Sequence, residues 1–359
     1  MPMPRYHRDD LLRYAEGLLT RAGMEADKAA VTAAVLVEGD MIGHETHGLQ
    51  LMHWYLECLA DGSLNGKGSY EVVADKGAGF VWDGRLLPGA WLLTKALDQA
   101  MERVREHGIV GAAIRNCHHT CALSAYMRQA TDQGLIVQLS ASNPAARRVA
   151  PYGGTQPILT PNPLAMGFPT SGDPILVDVS SSITTTTMTQ LLAKKGERYP
   201  EPWGLTAEGQ PTDDPKEITE RGGTMMPLGG ALKGHKGYGL ALMVDLLGQG
   251  LSGKGRANTD APGPLAQSAF LQVIDPDFFA GLDAFTEQSD WLANACRTNP
   301  PAPWNKGAVR VPGDSASAKR RDAMQNGVPV AQNDWDRMAK HAEKLGMTPP
   351  AALQGRLTH

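Results

Sequence analysis

The spacing of apolar residues changes near residue 70, and this change limits the folds that the chain can adopt. Over residues 9–41, apolar side chains recur every three or four positions with a break at Gly23, which predicts two amphipathic helices. A third helix is predicted over residues 49–60. After residue 70, short apolar runs that are typical of strands alternate with helical segments. We therefore expect an all-helical N-terminal part followed by an α/β domain.

The α/β part contains predicted strands, predicted helices and one long polar connection. Strands are predicted over residues 70–74, 79–83, 109–115, 135–140, 164–168, 175–179 and 269–274, and helices over residues 90–106, 124–133, 236–251, 278–295 and 333–345. The helix over residues 236–251 is almost wholly apolar, so we expect it to be buried. The connection over residues 196–223 is rich in glycine, proline and aspartate, and an irregular segment of this length is usually functional.

Length and charge exclude several classes of protein. The chain has 359 residues, which is more than a single hydrophobic core usually holds, so two domains or one domain with a helical appendage are expected. Its 34 basic and 38 acidic residues give a net charge of -4. Such a balance offers no basic surface for nucleic acid and no polybasic arm for a membrane.

The N-terminus and the cysteines predict a cytoplasmic location. The first residues lack the apolar segment of a signal peptide, and no apolar run of about 18 residues occurs. The 4 cysteines are sparse and none forms a Cys-x-x-Cys pair. We expect a soluble protein of the reducing cytoplasm that binds a small molecule, without nucleic acid or membrane partners.

Two histidines and a carboxylate stand together in the motif Gly-His-Glu-Thr-His-Gly at residues 43–48. A zinc peptidase helix needs His-Glu-x-x-His, whereas His44 and His47 are only three positions apart. Histidines at this spacing can still share a face, so a metal-dependent hydrolase or lyase that uses His44, His47 and His119 stays open as an alternative. Histidines that are merely structural or solvated are an equally open interpretation.

Nucleotide-binding motifs are absent in their usual forms. No Gly-x-Gly-x-x-Gly follows a strand and no Gly-x-x-x-x-Gly-Lys-Ser/Thr occurs, so neither a Rossmann crossover nor a P-loop is predicted. The glycine-rich residues 234–239 open the apolar helix, where backbone N–H groups and Lys236 could hold a phosphate. Close helix packing is the alternative role for these glycines. A hydrolase that uses Cys117 or Cys121 as its nucleophile is not favoured, because the sequence has no nucleophile elbow.

Eight segments together resemble one known family. In chain order they are Thr-His-Gly at 46–48, Asn-Cys-His-His-Thr-Cys at 116–121, Pro-Tyr-Gly-Gly at 151–154 followed by Asn-Pro-Leu-Ala at 162–165, Val-Asp-Val-Ser-Ser-Ser at 177–182, Pro-Thr-Asp-Asp-Pro at 211–215, Pro-Leu-Gly-Gly at 227–230, Lys-Gly-Tyr-Gly-Leu at 236–240 and Val-Pro-Gly-Asp at 311–314. This series resembles the malate/L-lactate dehydrogenase family of NAD(P)-dependent oxidoreductases, whose fold is not the Rossmann fold.

The resemblance implies a fold, an assembly and a reaction. The fold is an α/β one, with a mixed-sheet, non-Rossmann cofactor domain at residues 71–314 and a helical domain built from residues 1–70 and 315–359, the C-terminal segment packing with the N-terminal helices. A homodimer with active sites near the subunit interface is also implied. The reaction is hydride transfer between NAD or NADP and a small 2-hydroxy or 2-oxo acid. Reduction of a cyclic imine or a diketo sugar acid is the alternative within the same family.

The resemblance also implies roles for particular residues. His47 matches a proton donor to the substrate oxygen in some members, and His119 matches a proton acceptor in others, so the two form the expected catalytic pair. Imidazole suits this exchange because its unperturbed pKa is about 6.5. Asp178 could accept a hydrogen bond from a ribose hydroxyl or orient an imidazole. The positions implied to bind the dinucleotide are Ser142, Asp178, Val179, Ser180, His235, Lys236, Pro312, Gly313 and Asp314, and no metal ligand is implied.

The chain departs from the family pattern where the substrate is expected, near Thr46 and Leu51. Many members have an arginine, a natural partner for the substrate carboxylate, where this chain has Leu51. The glycine after the second histidine is Cys121, and threonines at 184–187 replace Ala-x-Gly-Lys. Either the substrate is not a standard 2-oxo acid, or its carboxylate is held elsewhere. Arg147 and Arg148 are the candidates for that contact, with a solvated surface pair as the alternative.

Overall fold

Strands and helices alternate along the chain, and the computed structural model describes residues 3–258, 263 and 265–353. Within that part, the strands are β1 (Arg5–Tyr6), β2 (Glu71–Asp75), β3 (Gly79–Asp83), β4 (Ile109–Cys117), β5 (Ile136–Ser142), β6 (Pro163–Phe168), β7 (Ile175–Ser180), β8 (Gly204–Leu205), β9 (Pro211–Thr212), β10 (Thr224–Met225), β11 (Gln267–Ile274) and β12 (Val328–Pro329).

The helices of the same part follow in chain order, and short turns join some of them. They are α1 (Arg8–Arg21), α2 (Ala26–Met41), α3 (Met52–Asp61), α4 (Gly89–His107), α5 (Ser124–Thr131), α6 (Thr186–Lys195), α7 (Pro215–Glu220), α8 (Gly230–Lys233), α9 (His235–Asp245), α10 (Leu282–Arg297), α11 (Asp314–Asn326) and α12 (Gln332–Lys344). Two 3-10 turns, Glu45–His47 and Leu49–Leu51, connect α2 to α3, a π turn at Leu246–Gly250 follows α9, and a 3-10 turn at Pro276–Phe278 follows β11.

A seven-stranded mixed sheet in the order β2-β3-β4-β11-β5-β6-β7 forms the centre of the fold. β3 and β4 run parallel, whereas β11 is antiparallel to both of its neighbours, β4 and β5. Ala269, Leu271 and Val273 of β11 are fully buried within the sheet. An antiparallel central strand is incompatible with the parallel order of a Rossmann sheet. The expected non-Rossmann, mixed-sheet α/β fold is therefore confirmed.

The two ends of the chain pack together beside the sheet. β1 pairs with β12, and the Tyr6 ring stacks on Trp335 of α12 with centroids 3.9 Å apart. Tyr14 of α1 lies against the same tryptophan at 5.5 Å. Stacked aromatic pairs of this kind add packing energy beyond the area that they bury. The N-terminal helices, which carry one of the two histidine motifs, are thus attached to the C-terminal helix.

The domain boundaries proposed at residues 70 and 314 stay a prediction. One continuous apolar core includes residues of the N-terminal helices, the large sheet and α12, so burial alone does not separate these parts. The outermost residues of the predicted helical domain, 1–2 and 354–359, lie outside the described part of the chain.

The prediction that the almost wholly apolar residues 236–251 form a buried helix is wrong. α9 ends at Asp245 and continues as a π turn, and the segment exposes one apolar side. The exposed side chains of that side are Leu242, Met243, Leu246 and Leu251. Apolar residues all around a helix normally indicate burial. In this isolated chain only one side of the helix is covered, so the other remains available to a partner.

Four helices, α6, α7, α8 and α11, and a small sheet escaped the sequence-based assignment. The segment at residues 196–223 is not irregular, because it contains α7 and the strands β8 and β9, which join β10 in a three-stranded sheet. α6 was missed because it begins in a run of threonines, which favour strands and helix caps over helix interiors. α11 was missed because it is largely polar, with Ser317 and Ala323 as its buried residues.

Candidate active site

A cavity of about 470 Å³, here called the central cavity, opens between the first histidine motif, the turn after β4, the end of β5 and the first turn of α6. This volume lies within the range of small-molecule sites. The lining includes His44, His47, His119, Thr120, Cys121, Ala141, Ser142, Arg148, Asn162, Asp178, Ser180, Thr185, Thr186, Thr187 and Gln267. The structure therefore brings the two histidine motifs together, as the resemblance implies.

A buried carboxyl group fixes the turn that carries His47. Asp40, on α2, accepts a hydrogen bond from the backbone N–H of Leu49 at 2.9 Å. Burial raises the pKa of Asp40 well above its usual value, because it disfavours the charged form of the carboxyl. Gly48 lies directly against this carboxyl, and a Cβ atom at that position would overlap it. Glycine is therefore needed in the Thr-His-Gly motif for close approach to Asp40.

The turn that carries His119 is held by two buried tyrosines. Tyr55 donates its hydroxyl to the carbonyl of His119 at 3.0 Å, and Tyr126 donates to the carbonyl of Thr120 at 2.6 Å. Cys121 has a left-handed backbone, with φ of 58°, a conformation that favours glycine. Cys121 therefore has a backbone conformation that is strained for a residue other than glycine.

One hydrogen bond decides which nitrogen of His119 carries the proton. The backbone N–H of Cys121 donates to Nδ1 of His119 at 3.2 Å, so Nδ1 is the unprotonated nitrogen of the neutral ring. In neutral imidazole the other nitrogen is then the donor. His119 therefore presents an Nε2–H group and no free lone pair.

His47 differs from His119 because its tautomer is not fixed. Its Nδ1 lies 2.9 Å from the hydroxyl of Thr46, which can act as donor or acceptor. The rings of His47 and His119 are 5.7 Å apart between centroids and inclined by 18°. Thr46 contacts His47 without lining the central cavity.

Burial lowers the pKa of the cavity histidines. It lowers the pKa of His119 well below its usual value, and the neighbouring His47 and His118 act in the same direction. It also lowers the pKa of His47, with His44 adding to the effect and Asp178 opposing it. Because the unfolded chain binds protons more readily near pH 6, both residues destabilise the fold as the pH falls below about 6.5.

His118 faces away from the cavity, in contrast to its neighbour. It is completely buried between Trp54, at 4.8 Å, and Tyr55, at 5.5 Å between ring centroids. Neither ring nitrogen has a hydrogen-bond partner among the described residues, and burial lowers its pKa to about 4. His118 is therefore a packed aromatic residue of the core.

A buried polar network that the sequence did not reveal lies next to the cavity. Ser142 donates to Asp245 at 2.6 Å, and Arg256 pairs with the same carboxylate at 2.8 Å. Asn162 and Gln249 also donate to Asp245, at 3.0 and 2.9 Å. Asp245 is an acidic residue in the otherwise apolar part of the predicted helix, and this isolated charge was the signal that could have identified the network.

The cofactor candidates lie along the edge strand β7, and only some of them reach the cavity. Asp178 and Ser180 line it, as does Ser142, and Asp178 accepts a hydrogen bond from the N–H of Ser124 at the start of α5 at 2.9 Å. Val179, in contrast, is exposed outside the cavity. Asp178 thus keeps one carboxylate oxygen available toward the cavity side of β7.

The remaining cofactor candidates lie outside the central cavity near the two ends of β7. Pro312 accepts a hydrogen bond from the N–H of Leu176 at 3.0 Å, and the adjacent Gly313 packs closely on β7. Asp314 pairs with Arg297 at 2.6 Å, which lowers the pKa of Asp314. At the other end, His235 and Lys236 are exposed at the start of α9, where the next residue, Gly237, packs against Ser181.

Of the four substrate candidates, Arg148 alone lines the cavity, whereas Thr46, Leu51 and Arg147 do not. Arg148 lines the cavity and is exposed at its mouth, whereas Arg147 is not part of the lining. Leu51 belongs to the second 3-10 turn and packs against the apolar core. The position at which the resemblance implies an arginine thus holds a partly buried apolar side chain that packs against the core.

The metal-site alternative finds no support in the described residues. No group of three or more His, Cys, Asp and Glu side chains there could hold a metal ion. His44, His47 and His119 do line one cavity. However, the His47 and His119 rings lie nearly parallel, and a shared metal needs nitrogens that converge on one point about 2 Å away.

Comparisons with known proteins identify the family. A model of the malate/L-lactate dehydrogenase family matches residues 6–339. The chain is 33% identical to a Delta(1)-pyrroline-2-carboxylate/Delta(1)-piperideine-2-carboxylate reductase of Pseudomonas syringae, over 89% of this chain and 91% of that protein. It is 32% identical to an L-lactate dehydrogenase of Cupriavidus necator, over 94% and 97%. Malate dehydrogenase from Pyrococcus horikoshii has a similar structure, with a TM-score of 0.86 at 25% identity, covering 97% of each chain.

The mixed sheet and the family match together define an oxidoreductase outside the Rossmann group. This chain belongs to the malate/L-lactate dehydrogenase family. Among the described residues, no helix is both long and apolar enough to cross a membrane.

The protonation states of the cavity histidines can be measured directly. We expect His119 to stay neutral at pH 6, where a histidine with an unperturbed pKa of about 6.5 is mostly protonated. Its Nδ1 should be the unprotonated nitrogen, because it accepts from the N–H of Cys121. Long-range proton–nitrogen NMR correlation of ¹⁵N-histidine-labelled protein would show both properties, and the His119→Gln variant assigns the signal. Titration of His119 near pH 6.5, or a protonated Nδ1, would contradict the expectation.

Proposed function

We propose that this chain catalyses hydride transfer between NAD or NADP and a small 2-oxo or 2-hydroxy acid. The observation that carries the proposal is the placement of His47 and His119 in one cavity, bordered by Asp178 and Ser180 of the edge strand. Family membership and the dehydrogenase relatives support the same reaction class. The relative named as a reductase of cyclic imine carboxylates makes such an imine the second candidate substrate.

The residues along β7 fit a nicotinamide dinucleotide. Asp178 keeps one carboxylate oxygen for a ribose hydroxyl, since only its other oxygen accepts from Ser124. Lys236 is exposed and has no acidic partner in the described part of the chain, so its ammonium group is available to a phosphate. Ser180 follows Asp178 by two positions on β7, and His235 immediately precedes Lys236. The loop of Pro312, Gly313 and Asp314 borders the start of β7. The bound nicotinamide would supply the hydride.

The two histidines divide the proton chemistry between them. His119 is a neutral donor, and its Nε2–H would polarise the carbonyl oxygen of the substrate. His47 contacts the hydroxyl of Thr46, which can donate or accept, so His47 would give a proton to the oxygen during reduction and take it back during oxidation. In this assignment His47 is the general acid and base, and His119 stabilises developing negative charge.

Cofactor binding and turnover test the proposed function. The melting temperature of the purified protein should rise with millimolar NADH or NADPH, because a ligand that binds only the folded state stabilises it. A panel of 2-oxo acids, diketo sugar acids and cyclic imine carboxylates, followed at 340 nm, should then show turnover with at least one substrate. Absence of both the thermal shift and turnover would reject the function.

The pH dependence separates the roles of the two histidines. The pKa of His47 is lowered, so kcat/KM for reduction should fall as the pH rises through a value below about 6.5, and that for oxidation should rise. His47→Gln should lose this dependence and about 100-fold or more in turnover. His119→Gln, whose amide can still donate a hydrogen bond, should keep the dependence and exceed His119→Ala in rate. Loss of the pH dependence in His119→Gln alone would reverse the assignment.

We further propose that the protein is a homodimer. The apolar side of residues 242–251, which includes Leu242, Met243, Leu246 and Leu251, is exposed in the isolated chain, and a second copy would cover it. This surface follows directly from α9, whose first residues are cofactor candidates, so the active site would lie near the interface. The free thiols of Cys58, Cys117, Cys121 and Cys296 support the expected cytoplasmic location.

A charged substitution tests the dimer. Leu246→Asp should shift the mass measured by sedimentation equilibrium from two chains toward one, because a buried charge is costly at an apolar interface. Leu292→Asp, on the exposed side of α10, is the matched control and should leave the mass unchanged. A monomeric wild-type protein at micromolar concentration would refute the homodimer.

A further inference from the structure

The central cavity holds one unpaired cationic side chain, at Arg148. Arg148 lines the cavity, and its guanidinium has no acidic partner among the described residues. The other charged group of the lining is Asp178, which is an anion and accepts from Ser124. His47 and His119 are neutral near pH 7 because burial lowers their pKa. An anionic substrate in this cavity would therefore find its countercharge at Arg148.

The first turn of α6 faces the same cavity and adds hydrogen-bond donors. Thr186 and Thr187 line the cavity, and their backbone N–H groups have no backbone acceptor among the described residues. The next N–H, of Met188, is capped by the hydroxyl of Thr185 at 3.2 Å. Free N–H groups at the start of a ten-residue helix favour an anion.

A threonine beside His119 adds a further polar group to the cavity lining. Thr120 is 3% exposed and lines the cavity beside His119. Its carbonyl is used by Tyr126, but its hydroxyl has no partner among the described residues. A hydroxyl group can donate or accept, so this one is available to a polar ligand in the cavity.

Arg148 and α6 are held next to each other by one residue of β10. The N–H of Met225 donates to the carbonyl of Arg148 at 3.0 Å. The hydroxyl of Thr189, one turn into α6, contacts the sulfur of Met225 at 3.4 Å and is itself held by Tyr199 at 2.8 Å. The arginine and the helix start thus share a rigid support.

We propose that Arg148 and the first turn of α6 bind the carboxylate of the substrate, and that the enzyme prefers monocarboxylates. This inference rests on the proposed function. Leu51, at the position of the family arginine, is partly buried against the core and supplies no cation to the cavity. One guanidinium and one helix start satisfy one carboxylate, whereas a second carboxylate would face Asp178. A 2-oxo monocarboxylate or a cyclic imine carboxylate fits this arrangement, and a dicarboxylate such as oxaloacetate does not.

Substitution of each neighbouring arginine provides a matched pair. Arg148→Met should raise KM for pyruvate, or for the best monocarboxylate of the panel, by about 30-fold or more, since it removes a charge-assisted contact. Arg148→Lys should have an intermediate KM, because lysine keeps the charge but not the bidentate geometry. Arg147→Met, outside the cavity lining, should stay within about twofold of wild type. The Kd for NADH or NADPH should be unchanged in all three variants.

Binding of oxamate, an unreactive monocarboxylate, to the complex with NADH or NADPH gives a readout that does not depend on turnover. Trp54, whose ring lies 5.6 Å from that of His119, provides the fluorescence signal. Oxamate should bind to wild type and Arg147→Met but about 30-fold or more weaker to Arg148→Met. If wild type is active but Arg148→Met has unchanged KM and unchanged oxamate affinity, this inference fails while the proposed function stands. The same holds if wild type is as active on oxaloacetate as on the monocarboxylate. A wild type that neither binds cofactor nor turns over any substrate would overturn the proposed function.

Discussion

The insertion of β11 between β4 and β5 determines where the active site can form. Hydrogen bonding pairs Gln267 with Cys117 on one side and Ser268 with Ser142 on the other. The carboxyl ends of β4 and β5 therefore lie at the same edge of the sheet, although residues from the far end of the domain separate them. The His119 turn follows β4 at this edge, and Ser142 ends β5. A change in the register of β11 by one residue would disturb both walls of the cavity at once.

Periodicity predicted the sheet well because its strands are short apolar runs between turns. All seven strands of the large sheet overlap predicted strands, and the helices that cover it were also recognised. The pairing of His47 with His119 came only from the resemblance to a family, since no local pattern relates residues 72 positions apart. Physical distance between such residues depends on tertiary packing, which residue spacing alone does not encode.

The misassigned elements have physical causes. The start of α6 was not recognised because it lies in a run of threonines at 185–187, although Thr185 caps that helix. Apolar residues of the segment 236–251 predicted burial, but a pattern does not distinguish a protein core from an interface. Arg147 and Arg148 were equivalent in the sequence, and only the path of the chain after β5 places Arg148 at the cavity. The tautomer of His119 depended on one backbone N–H group, which no motif specifies.

The attachment of the two chain ends links the active site to the completion of the fold. His47 lies after α2, which contacts α11 and β12, and the second 3-10 turn after His47 contacts α12. The Tyr6–Trp335 stack holds α12 against the N-terminal helices. During synthesis the first histidine motif leaves the ribosome well before α11 and α12, the helices that support it. A nascent chain would thus carry a complete sheet and His119 while the cavity wall that carries His47 still lacked support. Catalytic competence would arise only when α12 docks.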